Sequence, residues 1–212
     1  MNAGERFRFF FGQCPLVAII RGVTPEEAVE VGEAIFEAGI RIIEVPLNSP
    51  DPIASISSLA ERFADRALVG AGTVLDPEDV TRVADAGGRL IVSPNTHVPV
   101  IEAAVARGMV SSPGFYTPSE AFTALRAGAH TLKFFPAEAA TPNVVRAMKA
   151  VLPPDVPLLV VGGVTPDNVG AWLKGGANGF GLGSGVYRPG QDAAQVGAQA
   201  RAYVEAVRSA AP

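Results

Sequence analysis

The sequence has few of the residues that build disulfides and metal sites. Its 212 residues include one cysteine, Cys14, and two histidines, His97 and His130. One cysteine excludes an intrachain disulfide and a CxxC metal site, and it suits the reducing cytosol. Since the histidines lack HxxxH spacing and no EF-hand pattern occurs, no metal is expected.

Positive charge and long apolar runs are also scarce. Lysine and arginine total 17 against 21 acids, which gives a net charge of -4. Without a basic run, nucleic acid is not an expected partner. No stretch of 18 apolar residues occurs, and Gly12 interrupts the short apolar run at 9–11, so neither a membrane span nor a signal peptide is predicted. We therefore expect a cytoplasmic protein with no membrane partner, in which residues 6–11 form a short helix that plugs one end of the core.

A repeat organises the chain instead. Short apolar runs recur roughly every 20 to 28 residues, the size of one strand–helix unit. Helix ends are predicted where a glycine precedes a run, as at Gly39, Gly87 and Gly128. Helix starts are predicted at four Thr-Pro or Asp-Pro pairs, at 24–25, 76–77, 117–118 and 165–166. The eight runs lie at 16–20, 40–45, 68–71, 90–93, 109–112, 131–135, 158–161 and 179–182.

Eight strand–helix units predict the fold. Strands that alternate with helices indicate a parallel sheet. Eight units in about 200 residues, without a second block of composition, favour one α/β domain over residues 1–212, a (β/α)8 TIM barrel with a short N-terminal helix. An open doubly wound sheet is the alternative, and the absence of GxGxxG after the first strand weakens it. In such barrels the catalytic groups lie at the carboxyl ends of the strands.

Lys133 is the strongest catalytic candidate. It is one of three lysines and lies within the apolar run at 131–135. Lysine strongly prefers the surface, so a strand position needs a reason. An apolar pocket favours the free amine, which is a nucleophile toward carbonyl carbon. We therefore predict that Lys133 attacks a carbonyl substrate.

Glu44 is the second candidate, in the apolar run at 40–45. A buried carboxylate costs several kcal/mol unless it is paired or protonated. It is therefore either a structural ion pair with Arg21 or Arg41, or a proton shuttle beside Lys133. We favour the shuttle because strands two and six would both point into one pocket.

The remaining candidates line the same predicted rim. The loops after strands seven and eight, with Gly162, Gly163, Gly183 and Ser184, fit a phosphate site built from backbone N–H groups and a short helix N-terminus. Arg21 is either a bidentate clamp for an anion or a rim salt bridge. Thr73 supplies a hydroxyl. His97 is either a general acid or part of the loop surface, and His130 is more consistent with packing.

Four strings carry a family resemblance: EVPLNSP at 44–50, VGAGTVL at 69–75, KFFPAE at 133–138 and VGGVTP at 161–166. They resemble the class I aldolases of 2-keto-3-deoxy-6-phospho sugar acids. The resemblance implies a cofactor-free imine between Lys133 and pyruvate, with Glu44 moving protons. It places Thr73 near the pyruvyl carboxylate and the phosphate on Gly162, Gly163, Gly183 and Ser184. It also implies a homotrimer.

One departure bears on the substrate. Phosphogluconate-type members carry Leu-Arg-Thr after the strand of the glutamate, whereas this chain has Leu47, Asn48 and Ser49. Together with SPNTH at 93–97 and LGSGVYR at 182–188, this string is similar to the phosphogalactonate aldolases, while FFPAE at 134–138 is closer to the gluconate type. We expect cleavage of 2-dehydro-3-deoxy-6-phosphogalactonate to pyruvate and D-glyceraldehyde 3-phosphate. The alternatives are the gluconate epimer, an isomerase without covalent chemistry, and a phosphosugar-binding protein.

Overall fold

The computed structural model describes residues 1–210, in which strands and helices alternate as the repeat predicts. The strands are β1 (Leu16–Ile19), β2 (Ile42–Pro46), β3 (Leu68–Gly72), β4 (Leu90–Val92), β5 (Val110–Ser112), β6 (Gly114–Phe115), β7 (Leu132–Phe134), β8 (Leu158–Val161) and β9 (Gly179–Leu182). The helices are α1 (Ala3–Gln13), α2 (Pro25–Ala38), α3 (Pro52–Phe63), α4 (Pro77–Asp85), α5 (Val98–Ala106), α6 (Pro118–Arg126), α7 (Pro142–Lys149), α8 (Val169–Lys174) and α9 (Ala193–Ala210). Two short 3₁₀ helices span Ala64–Arg66 and Ala137–Ala139.

All strand pairs are parallel, in the order β5-β4-β3-β2-β1-β9-β8-β7-β6. Only Pro113 separates β5 from β6, and proline has no N–H to donate to a ladder. Consequently β5 pairs with β4 while β6 pairs with β7, and together they form the fifth of eight barrel positions. The predicted (β/α)8 barrel is confirmed, and the open doubly wound alternative is wrong.

Most predicted helix boundaries agree with the structure. Helix α2 begins after the N-cap Thr24, with Pro25 in its first turn, and ends at Gly39, where φ is 115°. The start predicted at Thr165 is wrong, because α8 begins at Val169. Before that helix the N–H of Thr165 donates to Oδ1 of Asn168 at 3.0 Å, so that residues 165–168 form a turn. Among residues 1–210, no helix is both long and apolar enough to cross a bilayer.

Two apolar clusters hold the fold. The larger lies between the strands and the surrounding helices. The smaller fills the barrel interior, where Phe7 and Phe10 of α1 pack against inward side chains of the strands such as Val17 and Leu159. The predicted N-terminal plug is thus confirmed. Three polar side chains, Glu44, Ser112 and Lys133, are buried at the upper boundary of this interior cluster.

Candidate active site

A cavity of about 370 Å³ opens at the carboxyl ends of the strands. Seven of the eight predicted site residues line this cavity: Arg21, Thr73, Lys133, Gly162, Gly163, Gly183 and Ser184. The eighth, Glu44, lies beneath the cavity and borders a small void that Lys133 also lines. The barrel therefore brings the predicted residues together at one end.

A cleft of similar size, about 420 Å³, lies at the opposite end of the barrel, where Leu68 begins β3. Its charged side chains include Arg6 and Arg89, together with several acids, and all of them are at least partly exposed. The cavity at the carboxyl ends is the better candidate, because it alone of the two borders a buried amine.

Lys133 occupies the middle of β7, and its side chain is only 6% exposed. The backbone N–H of Lys133 donates to the carbonyl of Pro113 at 3.0 Å, which holds β7 beside the break between β5 and β6. The Nζ atom lies 4.9 Å from the centre of the Phe135 ring. Burial lowers the pKa of Lys133, the charge of Glu44 opposes that shift, and Arg21 adds to it. The surroundings therefore favour a neutral amine.

Glu44 lies in β2 and is 1% exposed. Burial raises its pKa to about 7, although Lys133 and Arg21 both pull in the opposite direction. Within the described chain Glu44 forms no salt bridge. The alternative of an ion pair with Arg41 therefore fails, because that guanidinium lies over the Phe36 ring, 3.8 Å from its centre. Glu44 can instead gain or lose a proton near neutral pH.

Gly72 is required for this orientation of the carboxylate. It ends β3 beside β2, and any Cβ at this position would overlap the carboxyl group of Glu44. The next residue, Thr73, has φ of 56°, a left-handed conformation that is rare for a β-branched residue. Such strain persists only where the surrounding structure imposes it, and here it brings the threonine to the cavity wall.

Arg21 follows β1 and is exposed at the cavity rim. Its guanidinium donates from Nη1 to Oδ1 of Asn48 and from Nη2 to Oγ1 of Thr73 at 3.3 Å. In the described chain Arg21 forms no rim salt bridge, because the partners of its guanidinium are an amide and a hydroxyl. Asn48 thus holds the cation in place, a role that the sequence analysis missed although it noted Asn48 as a departure.

The glycine loops lie at the far side of the cavity. Gly162 and Gly163 follow β8 with φ of 110° and 65°. In the described chain, none of the N–H groups of Gly162, Gly163, Gly183 and Ser184 donates to a backbone carbonyl. The loop after β9 is a turn, closed by the N–H of Val186 onto the carbonyl of Gly183 at 2.9 Å, rather than the predicted helix N-terminus. Free N–H groups of this kind can bind an anion.

Two charged residues of this region escaped the sequence analysis. Arg188 lines the cavity and donates from Nε to the carbonyl of Ser184 at 3.0 Å, while its backbone N–H donates to Gln191. Glu138 also lines the cavity, and its carboxyl group covers Gly162 so closely that a Cβ there would overlap it. Both residues belong to strings quoted for the family resemblance, but neither string indicates where these side chains point.

Both histidines lie outside the cavity lining. His97 contacts the carbonyl of Leu75 through Nδ1 at 2.9 Å, which agrees with a loop surface. The Nδ1 atom of His130 accepts from the N–H of Ser111 at 3.1 Å, which agrees with packing. Within residues 1–210, no group of three or more His, Cys, Asp or Glu side chains is arranged to hold a metal ion.

The barrel and its buried amine are those of an enzyme that attacks carbonyl carbon. Residues 10–197 match the family described as "Aldolase: KDPG and KHG aldolase". The chain belongs to this family, whose members are carbon–carbon lyases.

Relatives within the family differ in their similarity to this chain. The chain is 50% identical over 196 residues, 92% of its length and 96% of the relative's, to the 2-dehydro-3-deoxy-6-phosphogalactonate aldolase of Escherichia coli strain K12. It is 34% identical over 161 residues, 75% of its length and 74% of the relative's, to the KHG/KDPG aldolase of the same strain. A solved structure titled "Native KDPGal structure" superimposes with a TM-score of 0.92 at 49% identity, covering 93% of this chain and 96% of that one.

Proposed function

We propose that the chain is a Schiff-base lyase that cleaves 2-dehydro-3-deoxy-6-phosphogalactonate to pyruvate and D-glyceraldehyde 3-phosphate. The observation that carries the proposal is the buried amine of Lys133, whose pKa burial lowers, at the base of an open cavity and beside Glu44. The choice of the galactonate compound is supported by the 50% identity to an aldolase named for it, against 34% to the KHG/KDPG enzyme.

The reaction begins at the C2 ketone. The lone pair of Lys133 Nζ attacks C2, and the carbinolamine loses water to give a protonated imine. Glu44 donates the proton that the departing hydroxyl needs. When water adds to the imine in the reverse direction, the carboxylate of Glu44 accepts a proton from that water. A pKa of about 7 permits both transfers. Because the imine accepts electrons, the cleavage needs no metal or other cofactor.

Cleavage then breaks the C3–C4 bond. Glu44, acting through a bound water, removes the proton of the C4 hydroxyl, and the C3–C4 electron pair moves into the imine. The C4 carbon leaves as the aldehyde of glyceraldehyde 3-phosphate, and an enamine remains on Lys133. Protonation at C3 restores the imine, and hydrolysis releases pyruvate with the free amine.

The two anionic ends of the substrate fit opposite sides of the cavity. Arg21 and Thr73, joined by a hydrogen bond, would orient the carboxylate. The N–H groups of Gly162, Gly163, Gly183 and Ser184 would bind the phosphate, and the exposed guanidinium of Arg188 adds positive charge at that end. The carboxyl group of Glu138 must then move away from Gly162, because two anions would repel each other there.

A direct test compares both epimers. We expect pyruvate release from the galactonate compound with a kcat/KM well above that for 2-dehydro-3-deoxy-6-phosphogluconate, and a borohydride-trapped pyruvyl adduct on Lys133. A higher kcat/KM for the gluconate epimer would transfer the assignment to that substrate. Release of pyruvate without any lysine adduct would refute the imine mechanism.

The cellular setting is part of the same proposal. A homotrimer in the cytoplasm is supported by the family resemblance and by the single buried cysteine, Cys14, which suits a reducing compartment. Light scattering coupled to size-exclusion chromatography should give about three times the 21.9 kDa chain mass. A mass equal to one or two chains would reject the trimer without affecting the reaction.

A further inference from the structure

A void of about 10 Å³ lies inside the barrel, below the active-site cavity. Its wall is mostly apolar and includes Phe7 of α1 and Leu159 of β8. Three polar side chains also border it: Glu44 from β2, Ser112 from β5 and Lys133 from β7. A volume of roughly 10–15 Å³ accessible to a water-sized sphere is about what one water molecule requires.

Two of the residues that border this void each carry a buried oxygen without a protein partner. In the described chain, four buried side-chain oxygens make no hydrogen bond, and two of them, Oε2 of Glu44 and Oγ of Ser112, belong to residues that line the void. Ser112 is 1% exposed and Glu44 is 1% exposed. Buried polar atoms are nearly always hydrogen-bonded to protein or to ordered water, since leaving them unpaired costs about 1–3 kcal/mol each.

We propose that one water molecule occupies this void and joins the hydroxyl of Ser112 to Oε2 of Glu44, which makes Ser112 a positioning residue for Glu44. The inference rests on the proposed function, in which Glu44 moves protons. The water donates to the carboxylate and accepts from the serine hydroxyl, and the amine of Lys133 borders the same space. With these neighbours the water has the two to four polar partners that a buried water requires.

The water acts on Oε2, the carboxylate oxygen that lies against Gly72 at the end of β3. Its hydrogen bond stabilises the ionised carboxylate, so it opposes the burial that raises the pKa of Glu44 to about 7. The charged groups that act on Glu44 are Lys133 from β7 and Arg21 after β1. Strands β1 and β3, which flank β2, contribute no titratable side chain. Ser112 is therefore the one polar side chain, besides Lys133, that lines the void with Glu44 in the described chain.

The test is the pH dependence of kcat/KM for aldol cleavage in Ser112→Ala, with Ser112→Cys as a nearly isosteric second variant. The acidic limb of the wild-type profile reports ionisation of Glu44. Removal of the serine hydroxyl removes the anchor of the water, so the ionised form loses stabilisation. We expect the acidic limb of Ser112→Ala to move to higher pH by about one unit, the size of one charge-assisted hydrogen bond. At pH values well above the limb, activity should stay within about twofold of wild type.

Ser55→Ala is the matched control. Ser55 is another fully buried serine whose hydroxyl has no protein partner, but it lies in α3 and away from the void. Its profile should coincide with that of the wild type, whatever its effect on the melting temperature. A crystal structure of the wild type should show ordered density between Ser112 and Glu44.

The outcomes separate the inference from the function on which it rests. A wild-type enzyme that releases no pyruvate from either epimer would reject the proposed function. An active wild type with an unshifted profile in both Ser112 variants, or with an empty void in the crystal, would overturn the inference alone. Equal shifts in Ser112→Ala and Ser55→Ala would also overturn it, since they would indicate a general effect of a lost buried hydroxyl.

Discussion

The two ends of the active-site cavity are built by different physical means. At the reacting end, Lys133 and Glu44 are strand residues, buried in the barrel interior, and burial shifts the pKa of both toward the neutral form. At the anchoring end, Gly162, Gly163 and Ser184 offer backbone N–H groups on loops, beside the exposed Arg188. In the proposed function, the first end gains reactivity from the exclusion of water, and the second gains affinity for the phosphate from groups that need no burial.

The two ends should therefore tolerate substitution to different extents. In the proposed function, reactivity depends on the side chains of Lys133 and Glu44, so a single substitution should lower it by about 10²-fold or more. In the proposed function, affinity for the phosphate is spread over several N–H groups that side-chain substitutions leave in place. Substitutions at the anchoring end should therefore change binding by smaller factors and leave imine formation intact.

The largest effect is expected for Lys133→Ala. Loss of the nucleophile should abolish pyruvate release and the borohydride adduct together, because within residues 1–210 no other lysine borders the cavity. Mass spectrometry of the trapped protein gives the readout, and Lys174→Ala, at an exposed lysine, is the control that should keep both. Retained activity in Lys133→Ala would remove the distinction between the two ends.

Glu44→Gln should follow, with kcat lowered by about 10²–10⁴-fold, the usual contribution of a general acid–base group. In the wild type, kcat/KM should rise with pH through a pKa of about 7, where Glu44 ionises. The variant should lose this limb. Steady-state rates between pH 5 and 9 provide the check, and an unchanged acidic limb in the variant would assign the titration to another group.

The same residue links pH to stability. The pKa of Glu44 is about 7 in the folded protein against the ordinary value of 4.5, so the folded state binds more protons between these pH values. Its contribution to the free energy of unfolding should therefore fall as pH rises from about 4.5 to 7. Glu44→Gln should be more stable than the wild type at pH 8 and equal to it at pH 4. Urea unfolding at both pH values measures the difference, and a variant less stable at pH 8 would contradict it.

Arg188→Ala tests the anchoring end. Loss of one charge-assisted contact to phosphate should lower kcat/KM for the phosphorylated substrate by about 10- to 100-fold, mostly through KM. Pyruvate trapping at Lys133 should be unchanged, since pyruvate carries no phosphate. Arg188→Lys should recover part of the loss. An equal decrease in pyruvate trapping would show that Arg188 acts on the reacting end.

The smallest effect, with the opposite sign, is expected for Glu138→Gln. Its carboxyl group covers Gly162, where the phosphate is proposed to bind, and the side chain is exposed. Removing the negative charge should lower KM for the phosphorylated substrate by up to about fivefold, the range of a screened surface interaction. The gain should shrink at high salt. A raised KM would mean that Glu138 binds substrate rather than opposing it.

The sequence predicts the reacting end better than the anchoring end. A lysine and a glutamate inside apolar strands stand out because burial of charge is costly, and the strand period fixes which way they point. Arg188 lies on a loop and Glu138 in a three-residue 3₁₀ helix, where the positions of side chains depend on contacts that have no period. The helix start predicted at Thr165 is wrong for a local reason, because the side chain of Asn168, three residues on, accepts from the N–H of Thr165 and forms a turn before the helix. Ser112 lies within the run predicted at 109–112, but a serine carries no charge whose burial is costly, so its position did not stand out.

The first helix of the chain also belongs to the chemistry. Phe7 of α1 forms part of the wall of the void that Glu44 and Lys133 border. An aromatic ring from the first helix therefore closes the barrel interior below the amine of Lys133. A fusion tag or a proteolytic cleavage that displaces α1 would expose the amine of Lys133 to solvent from the opposite end of the barrel. Preparations that differ only in their leading residues would then differ in optimum pH, although the mouth of the cavity had not been touched.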